Sequence, residues 1–404
     1  MCLYETELIN QKYQPTKKNK GNVPECKDYR QLTIKIGCGW CKECRNKIAN
    51  DWRIRLFEEI KVDKNCTFIT LSLSAESIEK LEKELHETKY KGYESEFTDV
   101  NILASFAVRR WCERHRKLHK KAPKHWLITE LGHKGSERLH LHGLIWDCKD
   151  IDKTWKYGNI WKGTYVNNRT INYIIKYVTK LDEYHKGYRQ KIFTSHKIGI
   201  AYTYNNRYNE YKDEDTKITY KTYNGYNIAL PRYYKEKIWT EEQREKLWSM
   251  EMDKNKVYIN GEEFDATNED EIYIKKFNHK LDTARNYNRM TGYGSNTTTR
   301  KTYIITDIMK LKYKDIINYN KEKLVKAVDK RTIEKTIYPQ TDKLQRIGKN
   351  SNITSYVYGK YINGTTEAQR NYNELIEEAK KLGISVRKLR LIKAGIIGNI
   401  PTKL

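Results

Sequence analysis

Two histidines and one glutamate form the first set of residues whose spacing suggests chemistry. His140 and His142 are separated by one residue, so both imidazoles would point to the same face of a β-strand. We expect the apolar segments on either side to form a hairpin in which Gly132 faces Arg138. In that register Glu130 pairs directly with His140, about 5 Å away at Cβ.

Two imidazoles and one carboxylate could converge on one Mg²⁺ or Mn²⁺ ion and leave positions open for water or a phosphate oxygen. The alternative is that these histidines are ordinary surface residues of an alternating strand.

A second pattern places tyrosines and lysines on one side of a predicted helix. Four polar residues fall within roughly 100° of arc, with aliphatic residues opposite them: Tyr173, Lys176, Tyr177 and Lys180. A phenol with a pKa of about 10 is a poor nucleophile at neutral pH, but a nearby ammonium group and a metal-bound phosphate would favour the phenolate. The alternative is an amphipathic helix that holds Tyr and Lys by chance in a chain with 32 tyrosines. The histidine strand some 30 residues upstream favours the chemical interpretation.

Three cysteines at two-residue gaps, Cys38, Cys41 and Cys44, form a potential metal-binding motif. Structural Zn²⁺ needs a fourth ligand, which Cys2 or Cys26 could supply. Unmetallated packing of the thiols and an iron–sulfur cluster are the alternatives. Only 8 of 404 residues are cysteines, which suits metal ligation in a reducing compartment better than a disulfide framework.

The charge balance indicates a polyanionic partner. Lys and Arg exceed Asp and Glu by 78 to 52, which gives a formal net charge of +26. No apolar run reaches the eighteen or so residues of a membrane helix, and the start lacks a signal peptide. We therefore expect a soluble cytoplasmic protein without a membrane partner.

Apolar periodicity predicts the elements that must position these residues. Helices are predicted at 45–60, 77–86, 99–121, 170–183 and 240–252, and strands at 67–73, 125–131 and 138–146. No regular element is predicted in the first 36 residues. The expected fold is α+β, with a central antiparallel sheet covered by helices on one side, the tyrosine helix beside its exposed face, and extra helical N- and C-terminal segments.

Two basic segments are candidate DNA contacts. One lies on a predicted helix and contains three arginines, Arg109, Arg110 and Arg114, although a solvated basic face explains the same pattern. The other, at 373–394, has the pattern of a helix-turn-helix that would place Arg387 and Lys388 against DNA. A plain helical hairpin is the alternative there.

The ordered set of motifs resembles that of the HUH endonucleases, the rolling-circle replication initiators. Its three segments are TFITLSL (67–73), Glu130 with LHLHGLIW (139–146), and NYIIKYVTK (172–180). Further segments are similar to the replication initiators of gokushovirus-type microviruses: Met1-Cys2, CGWCKECR (38–45) with Trp52-Arg53, the tyrosines four apart, 194–200 and 230–234. The resemblance covers roughly residues 1–250.

The resemblance implies an RRM-like nuclease core in which Glu130, His140 and His142 hold Mg²⁺ or Mn²⁺. It also implies that Tyr173 and Tyr177 attack DNA, forming a 5′-phosphotyrosyl link and freeing a 3′-OH. The two lysines of the same helix would neutralise phosphate or leaving-group charge.

The implied substrates are a single-stranded viral origin and supercoiled replicative-form DNA in the host bacterial cytoplasm. The chain lacks a phosphate-binding loop for ATP, so strand separation and synthesis would need a host helicase and polymerase. Four regions are expected: a Cys-rich segment with the zinc site (1–65), the nuclease core (66–200), a Tyr-rich extension on the core (201–255) and a basic C-terminal region (256–404).

Two other functions fit parts of the same pattern. A plasmid initiator or mobilisation relaxase shares the chemistry, and origin sequence and genomic context would separate it. A non-catalytic zinc and helix-turn-helix DNA-binding regulator instead predicts tight DNA binding with no covalent adduct and no effect of changing Tyr173 and Tyr177.

Overall fold

The computed structural model describes residues 1–310 except 18, 89–98, 133–136, 148, 183, 186, 205, 223, 300–302 and 304–305, together with 377, 378 and 381. Residues Met1–Val325 form one compact unit and Lys326–Leu404 a second. The predicted helix-turn-helix at 373–394, including Arg387 and Lys388, lies outside the described residues apart from those last three positions.

The described residues form helices and short strands in mixed order. The α-helices are α1 (Lys42–Val62), α2 (Ala75–Thr88), α3 (Val100–His119), α4 (Ile151–Thr154), α5 (Asn168–Thr179), α6 (Arg232–Ile238), α7 (Glu241–Asp253), α8 (Glu271–Met290) and α9 (Asp307–Lys310). The strands are β1 (Thr6–Ile9), β2 (Thr33–Ile36), β3 (Cys66–Ser72), β4 (Lys124–Leu131), β5 (Leu139–Trp146), β6 (Ile160–Lys162), β7 (Ile192–Thr194), β8 (Thr219–Lys221), β9 (Asn227–Ala229), β10 (Lys256–Ile259) and β11 (Glu262–Asp265). Within this part of the chain, none of the helices has the length and apolar character needed to cross a membrane.

A five-stranded antiparallel sheet in the order β6-β3-β5-β4-β7 lies at the centre of the first unit. This confirms the predicted α+β class. The predicted hairpin register is also confirmed, because Glu130 pairs with His140 and the Gly132 N–H donates to the Arg138 carbonyl at 2.8 Å.

Gly143 allows β4 and β5 to approach closely at their centre. A Cβ atom at this position would lie 2.0 Å from the Trp126 carbonyl oxygen, so no larger residue fits without moving the strand. This close pairing fixes the part of β5 that carries the two histidines.

Helices cover both faces of the sheet, whereas we expected them on one side only. Leu71 and Leu141 face α2 and α3, and they belong to one buried cluster with Trp111. On the opposite face, Trp126 and Leu144 belong to a second cluster with residues of α1 and α5. Because β4 and β5 carry apolar residues on both faces, each face has to be buried, and the long apolar runs in their sequences are the signal for this.

The N-terminal segment is also more ordered than predicted. β1 and β2 pair as an antiparallel hairpin, and the chain start is fastened to later elements. The Met1 amino group donates to the Tyr258 carbonyl of β10 at 2.8 Å, and Arg285 of α8 donates to the Leu3 carbonyl at 3.0 Å. The partners lie more than 250 residues away, so no local pattern could reveal these contacts.

The Tyr-rich segment after β7 packs on the outside of α1. Ile54 of α1 shares a buried cluster with Tyr234 of α6 and Leu247 of α7. The Tyr234 hydroxyl donates to the Gly199 carbonyl at 2.9 Å. These contacts hold α1 between the sheet and the extension.

Candidate active site

The hairpin β4–β5 brings a carboxylate and two imidazoles to one face of the sheet. His140 and His142 are both half-buried, and their ring centroids are 6.2 Å apart. The Nε2 atom of His142 lies 2.7 Å from Oε2 of Glu130, and its Nδ1 atom lies 3.0 Å from the Thr70 hydroxyl. Contacts at both ring nitrogens therefore fix the orientation of His142. Burial and the neighbouring His142 lower the pKa of His140.

Lys180 occupies the other oxygen of Glu130 as an ion pair. Burial alone would raise the pKa of Glu130, but the hydrogen bonds with His142 and Lys180 outweigh that effect and lower the pKa to about 2. Glu130 is therefore a firmly ionised carboxylate with a partner on each oxygen.

The tyrosine helix is shorter than predicted. α5 begins with a capping box between Asn167 and Thr170 and ends at Thr179, so Lys180 is extended and not helical. The Lys180 carbonyl accepts hydrogen bonds from the side chains of Gln190 at 3.0 Å and Arg45 at 3.5 Å. These side chains satisfy the backbone there in place of another helical turn.

α5 places both tyrosines beside His142. The Tyr177 ring stacks on the His142 ring with centroids 4.6 Å apart and planes at 3°. The two phenol oxygens, of Tyr173 and Tyr177, are 3.1 Å apart. The helix does not present both phenols to solvent as expected, since Tyr173 is 46% exposed and Tyr177 only 6%.

The electrostatics of Tyr177 also differ from expectation. Burial, the hydrogen bond with Tyr173 and the negative charge of Glu130 all raise the pKa of the Tyr177 phenol. The lysines contact ring faces, with Lys176 Nζ 3.7 Å from the Tyr173 centroid and Lys180 Nζ 5.6 Å from the Tyr177 centroid. These positions are typical of cation–π contacts.

The three predicted ligands of a divalent ion do not form a ligand set in this arrangement. Among the described residues, Glu130, His140 and His142 are not a group whose potential ligand atoms all lie within 4.8 Å of one another. Both oxygens of Glu130 are engaged, by His142 and by Lys180. Imidazole and carboxylate are suitable donor types for Mg²⁺ or Mn²⁺, but Glu130 would have to release His142 or Lys180 before it could bind an ion.

The cysteines, in contrast, form a compact cluster that could hold a metal ion. The Sγ atoms of Cys2, Cys38, Cys41 and Cys44 all lie within 4.8 Å of one another. The Cys2–Cys41 and Cys38–Cys44 sulfur distances are 3.8 and 4.0 Å. A tetrahedral Zn²⁺ with Zn–S bonds of about 2.3 Å holds its sulfurs about 3.8 Å apart. These two distances are compatible with a metal ion held among the four sulfurs.

Backbone N–H groups point at these sulfurs. Cys2 Sγ accepts from the N–H groups of Tyr4 and Cys38 at 3.3 and 3.2 Å, and Cys38 Sγ accepts from those of Trp40 and Cys41 at 3.4 and 3.2 Å. The hydrogen bond with Cys44 lowers the pKa of the Cys41 thiol. Such donors stabilise thiolates and orient metal ligands.

Two details of the chain fix the composition of the cysteine cluster. Cys26 is not a member, because its thiol donates to the Asp28 carbonyl at 3.0 Å, which leaves Cys2 as the fourth cysteine. A Cβ atom at Gly37 would lie 3.0 Å from Cys44 Sγ, so a side chain there would require Cys44 to shift slightly.

The three candidate DNA-binding arginines belong to α3, a helix on the other side of the sheet from the tyrosines. α3 packs on the face of the sheet opposite to α5. Arg109 and Arg110 pair with Glu113, and Arg114 donates to the Thr154 carbonyl and the Tyr157 hydroxyl at 2.8 and 2.9 Å. DNA binding through these arginines stays a prediction. Their contacts with other groups of the protein do not favour it.

Sequence reasoning missed two residues that support the site. Thr70 orients His142 through its hydroxyl, and the Phe68 ring contacts Tyr173 edge to face at 5.9 Å. Both lie in the predicted strand 67–73, but their side of that strand could be matched to the histidines only once β3 was known to pair with β5.

Comparisons with protein-family profiles, curated proteins and solved structures found no match to this chain. The resemblance to HUH endonucleases therefore rests on the motifs and their order.

Proposed function

We propose that the protein is an HUH-type, RRM-like endonuclease and strand transferase that nicks and rejoins single-stranded DNA through a phosphotyrosyl intermediate. The observation that carries this proposal is the position of the two phenols, 3.1 Å apart, with one stacked on a histidine that is bonded to an ionised glutamate. A purely structural polar side of α5 would not require its tyrosines to meet this histidine.

Tyr173 is the better candidate for the first attack because it is the exposed phenol. Its oxygen would attack a backbone phosphorus while the bond from phosphorus to the 3′ oxygen breaks. The phosphate stays on the tyrosine as a 5′-phosphotyrosyl ester, and the phenolic proton ends on the released 3′-hydroxyl. Because one phosphoester replaces another, rejoining by the 3′-hydroxyl needs no ATP.

Tyr177 would serve the second cleavage while Tyr173 still carries DNA. Its hydroxyl already lies in hydrogen-bond contact with that of Tyr173. Its raised pKa disfavours the phenolate. The Tyr177 phenol therefore needs added positive charge nearby, or a group that takes its proton, before it can attack. Lys176 and Lys180, within 6 Å of the Tyr177 ring centroid, can offset the charge of an incoming phosphate.

We also propose that the nicking activity depends on Mg²⁺ or Mn²⁺, because the carboxylate of Glu130 and the imidazoles of His140 and His142 are suitable donor types. When bound in such enzymes, the ion polarises the scissile phosphate. We assign no step to it, because both Glu130 oxygens already have partners.

We further propose that the cysteine cluster binds structural Zn²⁺. The sulfur spacing and the N–H donors described above support this assignment. The site would join the chain start to α1, and α1 packs against the tyrosine helix. The zinc would thus stabilise the scaffold on which the candidate nucleophiles lie.

The proposed substrates are the single-stranded origin and the replicative-form DNA of a bacteriophage in the host cytoplasm. The net charge of +26 supports a nucleic-acid partner. A host helicase and polymerase are the proposed partners in replication.

A covalent-adduct assay tests this function. The full chain is incubated with Mn²⁺ and a labelled single-stranded oligonucleotide that carries the candidate origin, and denaturing electrophoresis then detects labelled protein. We expect an adduct with the native chain and none with Tyr173→Phe/Tyr177→Phe. Tyr165→Phe, which changes an exposed tyrosine outside the site, is the matched control. Tight DNA binding with no adduct would favour the non-catalytic DNA-binding regulator.

A further inference from the structure

A cavity of about 250 Å³ lies beside the carboxyl end of the tyrosine helix. Its apolar wall includes Val178 of α5 and Ile128 of β4. Its polar wall includes Arg45 of α1 and the consecutive residues Arg189, Gln190 and Lys191. No Asp or Glu is among its lining residues in the described part of the chain. The cavity is therefore a cationic site beside the helix that carries the candidate nucleophiles.

Arg45 is an unusual residue for such a wall because it is 95% buried, with only 5% of its surface exposed. Its Nε atom is buried and has no hydrogen-bond partner among the described residues. Its Nη1 atom makes one hydrogen bond within the part of the chain that the structure describes, a 3.5 Å contact with the Lys180 carbonyl. A buried guanidinium normally pairs with an anion, since leaving it unpaired costs free energy.

A second arginine adds to the uncompensated charge. The guanidinium carbons of Arg45 and Arg189 lie 5.9 and 5.5 Å from the ring centroid of Trp40. Gly39, which also lines the cavity, has a φ of +73°, and a Cβ atom there would lie 3.4 Å from Arg189 Nη2. The loop of the cysteine motif thus contacts two arginines at one cavity, and no carboxylate lines that cavity among the residues that the structure describes.

We propose that this cavity binds a phosphate group, and that the phosphate belongs to the backbone of the DNA strand being cut. Guanidinium groups match phosphate oxygens in geometry and charge. The choice of DNA rests on the proposed function. Val178 follows Tyr177 on α5, and Ile128 lies on the same face of β4 as Glu130, so the cavity borders the same helix and the same sheet face as the candidate nucleophiles.

The main alternative is that Arg45 only caps α5. Its contact with the Lys180 carbonyl would then be its whole role, in parallel with that of Gln190. A cap predicts lower thermal stability in a variant without Arg45, but no change in how binding to DNA depends on salt.

The test measures the affinity for a fluorescent single-stranded oligonucleotide over a series of salt concentrations. Full-length Tyr173→Phe/Tyr177→Phe protein is used as the background so that cleavage cannot affect the result. We expect Arg45→Gln and Arg189→Gln each to weaken binding about tenfold. Each should also reduce the slope of log affinity against log salt by about 0.7, the value for one lost phosphate contact on a single strand. Arg232→Gln is the matched control, because it removes one exposed arginine paired with Glu236 on α6.

Two results would overturn the proposal. If both pocket variants keep the native salt slope, no DNA phosphate is bound there, and a fall in melting temperature for Arg45→Gln alone would identify a helix cap. If inorganic phosphate at constant ionic strength raises the melting temperature of the native protein but the slopes are unchanged, the cavity binds free phosphate instead. Arg189→Gln decides the matter if Arg45→Gln fails to fold. A missing adduct in the nuclease assay would not affect these binding results.

Discussion

The cysteine cluster and the histidine–glutamate group are two candidate metal sites whose potential ligand atoms are arranged differently. The four cysteine sulfurs already lie within 4.8 Å of one another, and N–H donors point at them. Glu130 and His142 are instead bonded to each other, and Lys180 and Thr70 occupy their remaining polar atoms. One site is arranged to hold an ion, and the other is arranged as a closed polar network.

Because of this difference, the cysteine cluster should mainly affect the stability of the fold, and the histidine–glutamate group mainly the chemistry. Ligands that converge in advance bind a metal with little reorganisation, so such a site contributes to folding. A network whose charges are mutually satisfied must exchange partners before it can act on a phosphate. We therefore expect changes at the cysteines to alter stability most, and changes around Glu130 to alter mainly the chemistry.

The largest effect is expected from Cys41→Ser. A serine at this position can still cap α1, as the Cys41 side chain does now, so the loss should come from the metal. We expect bound zinc to fall from one ion per chain to none, and the free energy of unfolding to fall by about 3 kcal/mol or more. Metal analysis and denaturant unfolding measure the two effects. Cys26→Ser is the control and should retain zinc. A native protein that contains no zinc and has the same free energy of unfolding as Cys41→Ser would contradict the assignment.

The next largest effect concerns pH and Glu130. Its folded pKa of about 2 lies below the ordinary value of 4.5. Its contribution to stability is therefore present above about pH 4.5 and is lost as the pH falls toward 2. Glu130→Gln should lower stability by up to about 3 kcal/mol at neutral pH, with the difference from the native protein vanishing near pH 2. Unfolding curves at several pH values test this, with the partly exposed Glu113→Gln as control. A pH-independent difference would show that the charge of Glu130 is not what stabilises the fold.

Lys180→Met would show whether the closed network can become a metal site. Removing Lys180 frees one oxygen of Glu130. We expect Mn²⁺ to bind about tenfold more tightly, as followed by electron paramagnetic resonance of free Mn²⁺. Lys176→Met is the control, since Lys176 lies over the tyrosine rings. If Lys180→Met bound Mn²⁺ no more tightly than the native protein, the claim that Lys180 keeps Glu130 from binding the ion would be wrong.

The smallest effect is expected from Thr70→Val. The change keeps the shape and removes the hydroxyl that lies 3.0 Å from His142 Nδ1. Stability should fall by only about 1 kcal/mol, while the single-turnover rate of adduct formation should fall by about 10-fold. Thr67→Val on the same strand, which faces the other side of the sheet, should leave the rate unchanged. Equal rates in both variants would show that His142 does not need this support.

Sequence reasoning succeeded where structure follows from short-range rules. The register of β4 and β5 follows from one loop closure, and it placed Glu130 opposite His140 correctly. The spacing of Cys38, Cys41 and Cys44 likewise brought three of the four sulfurs together. The choice between Cys2 and Cys26 depended on where the chain start folds back, which no local pattern encodes.

The features that were missed depend on tertiary contacts. A helical projection puts Tyr173 and Tyr177 on one side, but only the packing of α5 on the sheet decides that Tyr177 is buried against His142. Arg45 and Arg189 are 144 residues apart, and the cavity that they share exists only after α1 and the segment before β7 pack together. Charge patterns in the sequence pointed instead to α3, whose arginines pair among their neighbours.

Identification of the tyrosine that carries DNA tests the central claim most directly. Trypsin cleaves after Arg169, Lys176 and Lys180, so the two tyrosines fall on separate peptides. After the adduct is digested with nuclease and trypsin, mass spectrometry should find a nucleotide on the peptide 170–176 in the native protein, and on 177–180 in Tyr173→Phe. A nucleotide on any other peptide, or on none, would contradict the account.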